Sequence, residues 1–102
     1  MAVEITSRHM KITAVVKDFA RDKADMILEE FTQVEHVHII LDRRDYDLMA
    51  EVVVQGKNKL RAEASDRAAT ITAAIDSAVD KIVAQLRKAR KKTLSRRVGK
   101  AE

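Results

Sequence analysis

Histidines, clustered carboxylates and hydroxyls are the side chains here that could do metal or covalent chemistry, and their spacing decides against each. His36 and His38 stand two apart in the run His36–Leu41. In a strand that spacing puts both rings on one face, a geometry that can chelate a metal. No third ligand falls in register with them, and the chain has no cysteine to supply one; both read as exposed histidines on a strand's solvated face. His9 stands alone after a short alternating segment and reads as a strand terminator. Asp42, Asp45 and Asp47 gather three carboxylates in one polar run, but Arg43 and Arg44 lie among them. General acid–base work needs a pocket that shifts a carboxyl pKa, whereas charges interleaved like these make a solvated turn. Ser7, Ser65 and Ser77 have no nucleophile elbow or neighbouring base, and two isolated glycines, Gly56 and Gly99, form no phosphate-cradling loop. The sequence therefore assigns no catalytic residue, metal, cofactor or small-molecule substrate, and the chain reads as a non-enzyme.

The chemistry that remains is charge. Nine of the twenty residues from Lys81 to Lys100 are basic and none is acidic. Residues 1–80 hold 11 Lys and Arg against 15 Asp and Glu, and residues 81–102 hold nine against one, so a net charge of +4 conceals an acidic body and a basic end. That distribution marks a surface for a polyanion. At 100° per residue, Ile71, Ile75, Ala78, Ile82, Leu86 and Ala89 fall in one arc, while Lys81, Arg87, Lys88, Arg90, Lys91 and Lys92 fall on its flanks and far side. An apolar stripe that persists into a basic run means a helix docked by one face, not a disordered tail. After Thr93 the register fails, because Leu94 leaves the stripe and Arg96 enters it. Residues 1–93 are thus expected to form a single domain and 94–102 a short basic flexible tail. Helices that merely solubilise mix both signs, with Glu–Lys pairs four apart; this run has none, so its charges call for a partner, and Lys and Arg suit phosphate. A membrane surface would need a free apolar face, and this stripe, which lacks Trp and Phe, is required to cover a sheet.

Periodicity supplies that sheet. Val3–Ser7 alternates with Val3 and Ile5 inward. Thr13 can cap a helix from about Ala14 to Phe31, with Val16, Phe19, Ala20, Ala24, Ile27 and Phe31 as its core stripe and Asp18, Arg21, Asp22, Asp25 and Glu29 outside. His36–Leu41, Leu48–Val54 and Leu60–Ser65 alternate as three further strands. Asp42–Asp47 is read as a hairpin loop and Gln55–Asn58 as a turn in which Gly56 and Asn58 tolerate positive φ. A last helix begins at Thr70. The order β-α-β-β-β-α makes the first strand pair parallel and the rest an antiparallel meander. The expected fold class is α+β: a two-layer sandwich, a four-stranded mixed sheet with two helices on one face, dsRBD-like. A length of 102 residues fits one domain, and the lack of cysteine, of a leader and of any long apolar stretch fits a cytoplasmic location. Of three aromatics, Phe19 and Phe31 belong to the core, so recognition is expected to use shape and phosphate, not base stacking.

Five segments then occur in a telling order: VEITSRHMKIT (3–13), VHIIL (37–41), EVVVQG (51–56), LRAEASD (60–66) and TAAIDSAVDKIVAQLRKARKK (72–92). Together they resemble the ribosome hibernation promoting factor family, also called ribosome-associated inhibitors or Y proteins, over about residues 3–95. The resemblance implies a factor that binds the small ribosomal subunit and its rRNA in the decoding channel. It would compete with tRNA and mRNA there and idle ribosomes in stress or stationary phase. Matching positions carry over rRNA contact to Lys23, Lys81, Lys88, Arg90 and Lys92, and Arg8 stands where the family is often basic. Arg87 and Lys91 are added from the helical wheel. Thr72 stands where relatives commonly have an aromatic, and the loop Asp42–Asp47 looks shorter than theirs. A chain ending at Glu102 resembles the short form, and its brief tail leans to the dimer-promoting type, with a second small ribosome-dimerising factor as a further partner. The residues alone also fit a generic double-stranded RNA-binding module without ribosome preference.

Overall fold

A computed structural model describes residues 2–101 of the chain, with side chains described for residues 2–90. Its elements are β1 (Val3–Arg8), α1 (Ala14–Glu30), β2 (Val34–Arg44), β3 (Asp47–Gly56), β4 (Arg61–Ala68) and α2 (Ile71–Ala101), with a 3-10 turn at Lys57–Lys59. Both helices start on threonine caps, which satisfy N–H groups left over in the first turn: Thr13 Oγ1 accepts the Val16 N–H at 3.2 Å and Thr70 Oγ1 accepts the Ala73 N–H at 3.3 Å. The sheet order is β1-β2-β3-β4, with β1 parallel to β2 and the other pairs antiparallel. The expected α+β order and mixed four-stranded sheet are therefore present.

Cross-strand register sorts the side chains into two faces. Ile5, Ile39, Val52 and Ala64 form one row on the inner face, and Arg8, Asp42, Met49 and Arg67 form a row on the outer face. Both helices cover the inner face. Ile27 from α1, Ile75 and Ile82 from α2, and Val37, Ile39, Leu41, Val52 and Val54 from the sheet are fully buried. Each such side chain contributes about 1.5–3 kcal/mol on burial, far more than an exposed ion pair. Packing therefore sets where α2 lies, and its charges follow.

Helix α2 starts beside the β2–β3 hairpin, because Ala68 pairs with Leu48, and runs back along β4. Lys81 Nζ reaches the Ser65 carbonyl at 3.4 Å and Gln85 Nε2 reaches that of Glu63 at 3.1 Å. Helix α1 likewise returns from the end of β1 to the start of β2. The two helices thus point the same way, and both C-terminal halves meet near Gly56.

Three local expectations need correction. Asp42–Asp47 is not a six-residue loop: Arg43 pairs with Leu48 and Arg44 with Asp47, leaving Asp45 and Tyr46 alone at the tip. Asp45 takes φ 54, a left-handed value that tight hairpins need and Asp tolerates. Gly56 is not at positive φ; its φ is −164, and it is required because a Cβ there would stand 2.0 Å from the Gln33 carbonyl oxygen. Asn58 and Lys59 supply the left-handed residues instead, at φ 58 and 63. Finally, burial along α2 stops at Leu86. Ala89 is exposed, because the sheet beneath the helix has ended, while Ala74 and Val79 join the buried set. The helical backbone continues past Thr93 to Ala101, and the side chains that would define a tail at 94–102 lie outside the described ones.

Candidate nucleic-acid interface

The docked stripe of α2 places its basic residues on two flanks. Lys81 and Lys88, seven apart, lie on the side of β4. Arg87 and Arg90, three apart, lie on the side of α1. Most of them are paired. Arg87 binds Glu30 in bidentate fashion, Nε to Oε2 at 2.9 Å and Nη2 to Oε1 at 3.3 Å. Arg90 Nη2 stands 3.8 Å from the same carboxylate, and its guanidinium lies 4.9 Å from the centroid of the Phe31 ring. Lys81 Nζ stands 3.3 Å from Asp66 Oδ2. Lys23, on α1, pairs with Asp76 of α2 at 3.0 Å. Lys88 is exposed with no ion-pair partner among the described residues. The side chains of Lys91 and Lys92 lie outside the described ones. Arg8 ends β1 on the outer face of the sheet, away from both helices.

The run from Lys81 to Lys100 has no acid of its own, yet acid reaches it from elsewhere in the fold. Glu30 lies 57 positions from Arg87 and Asp66 fifteen from Lys81, separations that no helical-periodicity argument spans. The Arg87 hydrogen bond, opposed by desolvation and aided by the charges of Arg87 and Arg90, holds the Glu30 carboxyl below its ordinary value; Arg87 is raised in return. Hydrogen bonds from Ser77, the Arg67 N–H and Lys81 do the same for Asp66. The pairs are only partly sheltered, with the Lys81, Arg87 and Arg90 side chains 53%, 60% and 51% exposed. An arginine that spends two donors on Glu30 keeps others for a phosphate.

A cleft of about 330 Å³ continues this end of the molecule, lined by Phe31, Leu60, Leu86 and Arg90 and by Lys57 and Asn58 of the 3-10 turn. Lys57 is a cation the sequence reading passed over; pairing of β3 with β4 is what carries its turn to the end of α2. The Arg87–Arg90 spacing was the available signal for Glu30, since it aims two guanidinium groups at one neighbour.

The outer sheet face resolves the remaining candidates. His38 is half-buried: Nε2 lies 2.8 Å from Thr6 Oγ1 and 3.2 Å from Glu4 Oε2. It is a cross-strand polar contact, not a free surface histidine. His9, at φ 59, ends β1, and its Nδ1 lies 2.9 Å from Asp42 Oδ1. Asp42 is only 3% exposed and also accepts the Arg43 N–H at 2.7 Å. These bonds, His9 foremost, hold its carboxyl below the ordinary value, so it is an anchored acceptor. No group of three metal-ligating side chains forms among the described residues.

Residues 3–94 match the family described as sigma 54 modulation protein / S30EA ribosomal protein. The chain belongs to this family. S30EA-family membership makes it a ribosome-associated factor, and that family is not an enzyme family. A ribosomal subunit interface protein from Coxiella burnetii has the same fold, with a TM-score of 0.77 at 16% identity, covering 89% of this chain and 99% of that one. The N-terminal domain of Protein Y from Thermus thermophilus superposes with a TM-score of 0.75 at 23% identity, covering 86% and 98%. At these identities the likeness is one of fold. No curated protein matches the chain. None of the described helices is long and apolar enough to cross a membrane.

Proposed function

We propose that this S30EA-family chain is a ribosome hibernation factor. It binds the small ribosomal subunit in the decoding channel, blocks tRNA and mRNA, and keeps cytoplasmic ribosomes inactive under stress or in stationary phase. It acts as a dimer-promoting factor together with a second small factor. The observation that carries this reading is the rigid docking of α2 by Ile75, Ile82 and Leu86, which fixes a basic surface on a family scaffold associated with ribosomes. Lys81, Arg87, Lys88, Arg90, Lys91 and Lys92 make the main rRNA contact, joined by Lys57 across the cleft. Lys23 borders it through Asp76, and Arg8 touches rRNA from the outer face.

Binding of this kind runs on counterion release. If about five phosphates are neutralised, log affinity falls against log salt with a slope near −4. Co-sedimentation with small subunits across a salt series measures it. A slope near zero removes the electrostatic mechanism. Displacement by free duplex RNA as readily as by tRNA and mRNA would establish the generic RNA-binding module instead. Gradient profiles of stationary-phase ribosomes, with and without the protein, report dimers or single particles directly.

A further inference from the structure

The hairpin tip at the far end of the sheet from the Glu30–Arg87 contact holds a side chain that neither packing nor the α2 surface explains. Tyr46 is 99% exposed, in a chain whose other two aromatics, Phe19 and Phe31, pack into or against the core. Two residues, Asp45 and Tyr46, make the whole connection between paired strands, and Asp45 takes the left-handed position, so the ring is carried on a short turn held by the strands on either side. Arg43 and Arg44 precede it, both exposed, and Arg8 and Arg67 lie in the neighbouring row of the outer face. Asp45 and Asp47 offset part of that charge, which leaves the ring, not a phosphate-binding field, as the tip's main binding element.

We infer that the Tyr46 tip is a second contact, which stacks on an unpaired nucleobase of the RNA that α2 engages through phosphates. Unstacked bases in RNA loops are recognised by stacking on aromatic side chains or on Arg guanidinium planes, and the contact tolerates any base because each has a π-face. For this one residue the inference departs from the expectation that recognition uses no stacking. It rests on the proposed ribosome reading and adds a contact at the opposite end of the molecule. The two ends then anchor the domain at separated points, so α2 sets the electrostatic affinity and Tyr46 sets the orientation.

The chain contains no tryptophan and one tyrosine, so Tyr46→Trp installs a single reporter. Small-subunit affinity is measured for the wild type, Tyr46→Ala, Tyr46→Phe and Tyr46→Trp, and indole emission is followed in the last of these. The expected result is a loss of about 5- to 150-fold for Tyr46→Ala, near-wild-type binding for Tyr46→Phe, and quenching of the introduced indole's emission in the bound complex, because a base stacked on indole quenches it. Unchanged affinity of Tyr46→Ala overturns the stacking contact. A blue shift without quenching also overturns it, since that reports an apolar protein surface. If the wild type itself does not bind small subunits, the ribosome reading fails and takes this contact with it; a wild type that binds beside an unaffected Tyr46→Ala removes the tip alone.

Discussion

Helices α1 and α2 lie side by side on one sheet, bury similar stripes and point the same way, yet they divide charge in opposite senses. Helix α1 carries Lys17, Arg21 and Lys23 against Asp18, Asp22, Asp25, Glu29 and Glu30; α2 carries nine Lys and Arg against Asp76 and Asp80. Along their seam the signs are exchanged. Near its start α2 lends Asp76 to Lys23 of α1, and towards the other end α1 lends Glu30 to Arg87 and Arg90 of α2. The difference teaches that the basic helix is not a bare strip of repelling charge. Packing holds it in place, and the acidic helix offsets part of its charge within the fold. Lys88, on the flank away from α1, is the described basic residue of α2 with its charge left over.

The strongest way to break this comparison is through the core. Ile82→Ala should cost about 2–5 kcal/mol, the range for a buried isoleucine cut to alanine, and Ile27→Ala on α1 should cost a similar amount. Urea denaturation measures both. If Ile82→Ala spared stability, α2 would not be docked as described and its basic surface would have no fixed geometry. The next effect is on binding. Lys88→Glu should weaken small-subunit affinity several-fold and make the salt slope shallower by about one, with stability held within about 0.5 kcal/mol. The same reversal on the acidic helix, Arg21→Glu, should change binding less, and an equal loss there would put the contact on both helices.

A subtler variant is Glu30→Gln. It removes the acid from the seam, so affinity should rise modestly and the salt slope should steepen. A fall in affinity would show instead that Glu30 serves binding by orienting the two arginines. The smallest effect is on acid stability. Glu30 and Asp66 both have carboxyls lowered in the folded chain by their partners. A group depressed on folding stabilises above its unfolded pKa, and that contribution is lost as pH falls through the lower folded value. Stability should therefore decline below the ordinary carboxylate range, and Glu30→Gln with Asp66→Asn should make that decline shallower in acid titrations followed by circular dichroism.

Much of the scaffold was legible because each element repeats its own period. Val37, Ile39 and Leu41 announce a strand with one buried face, and Ile75, Ala78, Ile82 and Leu86 announce a docked helix, whatever lies around them. Local signals were weaker where two rules gave the same residue type. The polar run Asp42–Asp47 satisfied the composition of a loop, yet backbone pairing carried both strands through it. Gly56 satisfied the composition of a turn, yet it is needed for its missing Cβ against Gln33. His38 fitted a solvated face until Thr6 and Glu4 arrived beside it on β1. At the candidate interface the basic residues themselves could be named from one helical wheel, but their partners could not.

The sequence by itself determined the element order, the inward face of each strand and helix, and the concentration of positive charge after Asp80. These depend on residues a few positions apart, within the reach of one turn or one pleat. Only the tertiary structure decided which charges are spent and which are free. Glu30 meets Arg87 because two helices share a sheet, Asp66 meets Lys81 because α2 folds back along β4, and Tyr46 stands bare because pairing shortens its hairpin to two residues. Electrostatic partners act through space and fall off with distance, not with separation along the chain, so no reading of a single segment could have assigned them.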